Sequence, residues 1–190
     1  NEISETGAFW SNPTGSLHVA NNELEWNVLQ ELYETFKSNR PVQLLSPHQI
    51  ALRTDAVNQT NLMGGLYSAD ELIVDPREAI AALPSYLEEK YNVEFYWNKC
   101  VSYISEQTVY VGNDEDYDAD IIFICSGADF ETLYPESFSE YPLTKCKLQM
   151  MRLAAQPNNW QIGPALCGGL SLIHYKSFSA APSLPQLKEK

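Results

Sequence analysis

Four side chains in this sequence have the chemistry to recognise or process a small charged molecule: Arg152, His174, Tyr175 and His18. Arg152 is one of four arginines and lies in KCKLQMMRL, residues 145–153, where Lys145 and Lys147 make the least negative stretch of the chain. Its planar donor fork suits a carboxylate or a phosphonate, and its ordinary alternative is a salt bridge on a sheet face. His174 and Tyr175 adjoin an apolar run, and His18 follows the turn Asn12-Pro13-Thr14-Gly15; a structural imidazole is the alternative for both histidines. His48, inside a short capped helix, is a weaker candidate. Cys125 or Cys167 with a histidine would make a thiol hydrolase, but Cys125 falls in an apolar run, where a thiolate is costly. Cys100, Cys125, Cys146 and Cys167 stand 21 or 25 residues apart without a CxxC, so no structural zinc site is expected, and three of the four read as small core residues. No GxGxxG occurs, so the usual phosphate-binding turn of a dinucleotide fold is absent from these residues.

These candidates need elements to hold them. Residues 120–130, DIIFICSGADF, carry five consecutive apolar positions ending at Ser126-Gly127, which predicts a central strand covered on both faces. Upstream, Asp75-Pro76-Arg77-Glu78 reads as a helix start with Ala79, Ile80, Leu83 and Leu87 as a buried stripe and Pro84 as a bend. Residues 93–97 read as a strand, 101–105 and 108–111 as a hairpin, and 113–118 as an acidic loop facing solvent. Asn22 with Glu25, and Ser46 with Pro47 and Gln49, open two earlier helices. Residues 147–153 and 170–175 read as strands that carry Arg152, His174 and Tyr175. The rhythm is that of an α/β domain.

Composition excludes several partners. The 190 residues are 44% hydrophobic and 12% aromatic, enough for a core, and the net charge is -13. Ten carboxylates and no Lys or Arg lie between Cys100 and Thr144. Such a field repels nucleic acid and anionic lipid. No apolar run approaches a membrane span and neither end reads as a signal peptide, so a cytoplasmic protein is expected, with a homo-oligomer left open.

Five segments together carry a family likeness across nearly the whole chain: WSNPTGSLHVA, LIVDPREAIAALPSYL, IIFICSGADFETLYPESF, KCKLQMMRLAAQP and IGPALCGGLSLIHYKSF. The sequence resembles the middle of an FAD-dependent oxidoreductase of the D-amino-acid oxidase and glycine-oxidase-like superfamily, especially a bacterial branch linked to phosphonate metabolism. The resemblance implies residues 1–72 and 142–190 as two parts of a substrate lobe and residues 73–141 as part of a Rossmann-like FAD-binding lobe. It places Cys100 and Val101 near the adenine end of FAD, and Ser126, Gly127 and Ala128 at the turn passing close to the dinucleotide. It implies oxidation of a small amino acid, amine or aminophosphonate, with oxidase and dehydrogenase equally open. The missing fingerprint makes the chain read as an internal fragment that holds no FAD tightly by itself. The alternative is a non-catalytic module that binds a small ligand or a protein.

Overall fold

The structure is a computed structural model that describes Ile3 and residues 6–189. It divides into two compact units: one runs to Lys90 and resumes at Ala154, and the other is Tyr91–Leu153.

The first unit is built around a short strand that the apolar pattern of residues 120–130 overshadowed in the sequence. β1 (Ser11–Asn12) pairs with β5 (Ile73–Val74), while β2 (Ser16–Ala20) lies inside a mixed sheet. β2 is antiparallel to β4 (Gly64–Ser68) and parallel to β9 (Ala165–Cys167), and β3 (Val42–Leu45) pairs antiparallel with β4, giving the order β3-β4-β2-β9. The two-residue period of a strand sends Leu17 to one face and Ala20 to the other. On Ala20's face, α1 (Glu23–Phe36) buries Val28, Leu29 and Leu32 against Leu66, joined by Leu172, Ala181 and Leu184. On the opposite face, Leu17 and Leu45 pack with Ile50 of α2 (Pro47–Arg53) and with Leu62. Both faces of β2 are therefore dry over most of their length.

Both early helices begin where the sequence places them. The Asn22 side chain accepts the Glu25 amide at 3.0 Å, and the Glu25 carboxylate accepts the Asn21 amide at 2.7 Å. Ser46 and Gln49 form a reciprocal capping box with Pro47 in the first turn, where no amide partner is required. The returning segment is tied to the same sheet: Thr54 Oγ1 donates to the Ile162 carbonyl at 2.7 Å, Trp160 Nε1 donates to Asp55 at 2.6 Å, and Glu31 accepts from the Ser183 amide at 2.9 Å.

α3 (Pro76–Tyr91) starts at the Asp75-Pro76 signal and continues through Pro84. Its expected buried stripe does not form: no residue of the helix is fully buried, and Ile80 is exposed.

The second unit contains an antiparallel meander, β6 (Val101–Ser105), β7 (Thr108–Val111) and β8 (Glu115–Asp118), followed by the short helix α4 (Pro135–Ser139). The hairpin matches its sequence signal, whereas the acidic segment expected as a loop is largely β8, with most of its side chains in solvent. Residues 121–125 do not form the expected central strand. They are irregular, with Ile121 71% and Phe123 84% exposed, and they make no backbone–backbone hydrogen bond among the described residues. A strand apolar on both faces needs paired neighbours and two covering layers, and the meander supplies neither. For the same reason residues 93–97 and 147–153 are irregular rather than strands, with Met151 93% exposed. Cys125 is exposed, as are Cys100 and Cys146, so the expected core cysteines are not in a core. Residues 170–175 are also not a strand: α5 (Gly169–His174) follows Gly168, and Leu172 alone of its residues is buried. A short apolar run fits a buried helical turn as well as a strand, and here the core under α1 selects the helix. α6 (Leu184–Lys188) closes the described chain.

Candidate functional site

Two concavities are relevant, one in each unit. In the second unit a hollow of about 430 Å³ brings Cys100 and Val101, at the start of β6, beside Ile122, Ile124 and Ser126 of the irregular segment. Three of the expected cofactor contacts, Cys100, Val101 and Ser126, thus share one lining. Gly127 and Ala128 follow directly in the turn, where Gly127 takes φ +62° and a side chain would be strained. The walls are apolar, with Ile104 and Val109 contributed by the hairpin.

Polar groups that sequence reasoning missed stand at the edge of this hollow. Asp129 accepts from the Glu131 and Thr132 amides at 3.0 Å each. The Thr132 hydroxyl and these two amides hold its carboxyl below the usual carboxylate range. The Asx-turn spacing of Asp129 and Glu131 was the available signal. Lys99, the cation in the lining, is bound to Glu115 Oε1 at 2.6 Å. This lining fits the adenosine end of FAD: flat apolar walls, open backbone groups at residues 121–125, and a carboxylate able to accept from ribose hydroxyls. It does not fit the diphosphate, because its cation is already neutralised by Glu115 and its other charged group is Asp129.

The first unit holds a smaller pocket of about 250 Å³ between β2, β4 and α1, lined by His18, Arg40, Glu71 and Phe178 among others. The His18 ring meets Phe178 edge-on at 5.2 Å, and Tyr175 meets the same Phe178 edge-on at 6.4 Å. Burial pushes the His18 pKa down from 6.5, partly opposed by the Glu71 carboxylate. His18 lies opposite Cys167 in the β2–β9 register. Burial and then Glu71 push that thiol up, which disfavours the thiolate a thiol hydrolase requires. His174 ends α5 and is exposed, as is Tyr175. Arg152 is exposed in the irregular end of the second unit. His48 lies in α2, outside the lining of this pocket.

Among the described residues no group of three His, Cys, Asp or Glu side chains is arranged to hold a metal ion, and no helix is long and apolar enough to cross a membrane.

The mixed sheet with its covering helices is an α/β arrangement of the kind found in part of an FAD-binding oxidoreductase fold. The chain belongs to the FAD dependent oxidoreductase (DAO) family, whose profile matches residues 2–183. Its fold is similar to L-proline dehydrogenase from P. horikoshii, with 19% identity and a TM-score of 0.54 over 62% of this chain and 32% of that one. It is similarly like glycine oxidase from Geobacillus kaustophilus, with 19% identity and a TM-score of 0.52 over 63% of this chain and 33% of that one. The matched part therefore spans about a third of the length of these solved structures. No curated protein matches.

Proposed function

We propose that residues 99–133 contribute the adenosine-end pocket of an FAD-dependent enzyme that oxidises a carbon–nitrogen bond of a small amine, amino acid or aminophosphonate. The observation that carries the cofactor half is the meeting of Cys100, Val101 and Ser126 on one apolar hollow, from positions 25 residues apart in sequence. Val101, Ile122 and Ile124 would pack on the faces of the adenine ring, the free backbone groups of residues 121–125 would meet its polar edge, and Asp129 would accept from the ribose. FAD, when bound, supplies the acceptor for two electrons. The residues of this chain then have two tasks, holding the cofactor's far end and selecting a substrate by charge. The family membership supports flavin chemistry. The amine or amino-acid substrate draws support from the character of one side chain: Arg152 carries a planar fork suited to an acidic group. In this reading residues 1–72 and 142–190 form the substrate lobe and residues 73–141 the cofactor lobe, with His174 and Tyr175 the further substrate candidates.

The test is a comparison of FAD with FMN, which has the same isoalloxazine but no adenosine. Flavin fluorescence titrated with the full chain should change saturably for FAD and not for FMN. Val101→Asp, which puts a charge on the apolar wall, should abolish the FAD response while leaving the far-ultraviolet circular dichroism unchanged. Equal responses to FAD and FMN, or an undiminished response in Val101→Asp, would refute the assignment.

A further inference from the structure

We propose that one face of the β6–β7–β8 meander is a docking surface for an arginine-bearing segment of a partner protein, the guanidinium stacking on the Tyr103–Tyr110 pair and bonding to Asp116. The inference does not rest on the flavin reading. Ile104 and Val109, the hairpin residues that line the adenosine-end hollow, pair with each other at the next register position, and the two-residue period of a strand turns them to the opposite face.

The face carries two aromatic rings and a carboxylate in one row. Tyr103 of β6 lies directly opposite Tyr110 of β7, and their rings stack 4.2 Å apart with 9° between the planes. Tyr103 is 53% exposed. Asp116 of β8 is the residue opposite Tyr110 on the other side. Residues so paired have Cβ atoms about 4.5–5.5 Å apart, so the row runs ring, ring, carboxylate. Asp116 is exposed and takes part in no hydrogen bond or salt bridge among the described residues. Its neighbours are already engaged: Asp118 accepts from the Thr108 hydroxyl at 2.6 Å, and Glu115 binds Lys99. Tyr103, then burial and the Asp116 carboxylate, push the Tyr110 phenol up, so the ring beside Asp116 stays neutral.

The local charge fixes the sign of the partner, and the rings fix its shape. Ten carboxylates and no Lys or Arg lie between Cys100 and Thr144, so the meander attracts a cationic partner. A lysine ammonium is a compact, strongly hydrated charge that a carboxylate alone can satisfy. A guanidinium is planar and weakly hydrated: its face stacks on an aromatic ring while its edge donates two parallel hydrogen bonds to a carboxylate. A flat aromatic surface that ends at an unengaged carboxylate matches the second cation. Two ordinary roles compete with docking. Acidic side chains on an edge strand such as β8 keep other chains from pairing with it, and a cross-strand aromatic pair steadies a hairpin. Neither role distinguishes arginine from lysine, so a binding comparison separates them from docking.

The probes are three short labelled peptides in which glycine alternates with arginine, with lysine or with glutamine, titrated with the full chain at physiological ionic strength and read by fluorescence anisotropy. The arginine peptide should bind saturably and at least about threefold more tightly than the lysine peptide, and the glutamine peptide should not bind. Asp116→Asn, which removes the charge at nearly constant volume, should weaken the arginine peptide at least about threefold. Glu136→Gln, at an exposed acid in α4 of the same unit, should not. Tyr103→Thr should weaken it by a similar factor, while Tyr103→Phe, which keeps the ring, should leave it unchanged. Absence of saturable binding, equal affinity for the arginine and lysine peptides, or equal effects of Asp116→Asn and Glu136→Gln would each overturn the proposal, the last by reducing the attraction to the general acidity of the unit. Should Tyr103→Thr unfold the meander, the comparison of Asp116→Asn with Glu136→Gln decides alone.

Discussion

His18 and Gly15 show how much at the residue scale depends on one turn. Gly15 takes φ +73°, its amide donates to the Glu71 carbonyl at 3.1 Å, and its carbonyl accepts from Ala165 at 2.9 Å. A Cβ there would lie 2.5 Å from the Ser68 carbonyl and 2.6 Å from the Tyr67 hydroxyl. Gly15→Ala should therefore cost about 1–3 kcal/mol through strain and collision together, measured by urea denaturation; an unchanged midpoint would contradict the geometry. The His18 pKa is lowered in the folded chain, so the unfolded chain takes up its proton first as pH falls below 6.5. Stability should be flat above that value and decline below it until the lowered native pKa is reached. Glu71 and Arg40 are the charged groups facing the imidazole in the pocket. His18→Gln should flatten this part of the pH profile, and a decline that persists unaltered in the variant would assign it elsewhere. Arg152 belongs to the substrate proposal: replacing it with Lys keeps the charge and loses the fork. Substrate affinity of the active enzyme should then fall by a contact worth on the order of 1.5–3 kcal/mol. A lowered melting temperature with unchanged affinity would instead make Arg152 a structural partner.

At the scale of elements, the helix starts were legible because caps are local chemistry. Ser46, Pro47 and Gln49 specify α2 through bonds within one turn, so Ser46→Ala should cost about 1 kcal/mol by thermal or chemical melting, whereas Gln59→Ala on the nearby loop should cost far less. The hairpin at residues 101–111 was legible for the same reason, since its partners are adjacent in the chain. Residues 121–125 were misread because an apolar run does not carry its own pairing partners or cover; whether the chain supplies them is not written locally, and here the segment stays exposed and unpaired. β9 was missed because three residues make no pattern, and its place in the sheet depends on β2, far away in sequence. In the site, Cys100, Val101 and Ser126 were reached through family likeness. Asp129 and Lys99 were not, because their position follows from how a turn and a strand end approach one another.

On the scale of the whole molecule, the first unit has a two-faced sheet with a buried centre, while the second presents Ile121, Phe123, Leu148, Met150 and Met151 to solvent. That contrast agrees with an adenosine-end hollow whose lining is apolar and open, and it predicts weak rather than tight cofactor binding. The purified chain should carry no stoichiometric flavin absorbance, because the lining offers the diphosphate no free cation and the chain has no GxGxxG turn. A yellow, stoichiometric preparation would require another diphosphate site. The central claim, that the hollow of residues 99–133 receives the adenosine end of FAD, is tested most directly by methyl-resolved NMR of the full chain titrated with adenosine diphosphate. The account predicts saturable shifts of the Val101, Ile104, Ile122 and Ile124 methyls, with the methyls of Leu17, Leu29 and Ile50 in the first unit unmoved. Saturable shifts confined to the first unit, or none anywhere at millimolar nucleotide, would contradict it.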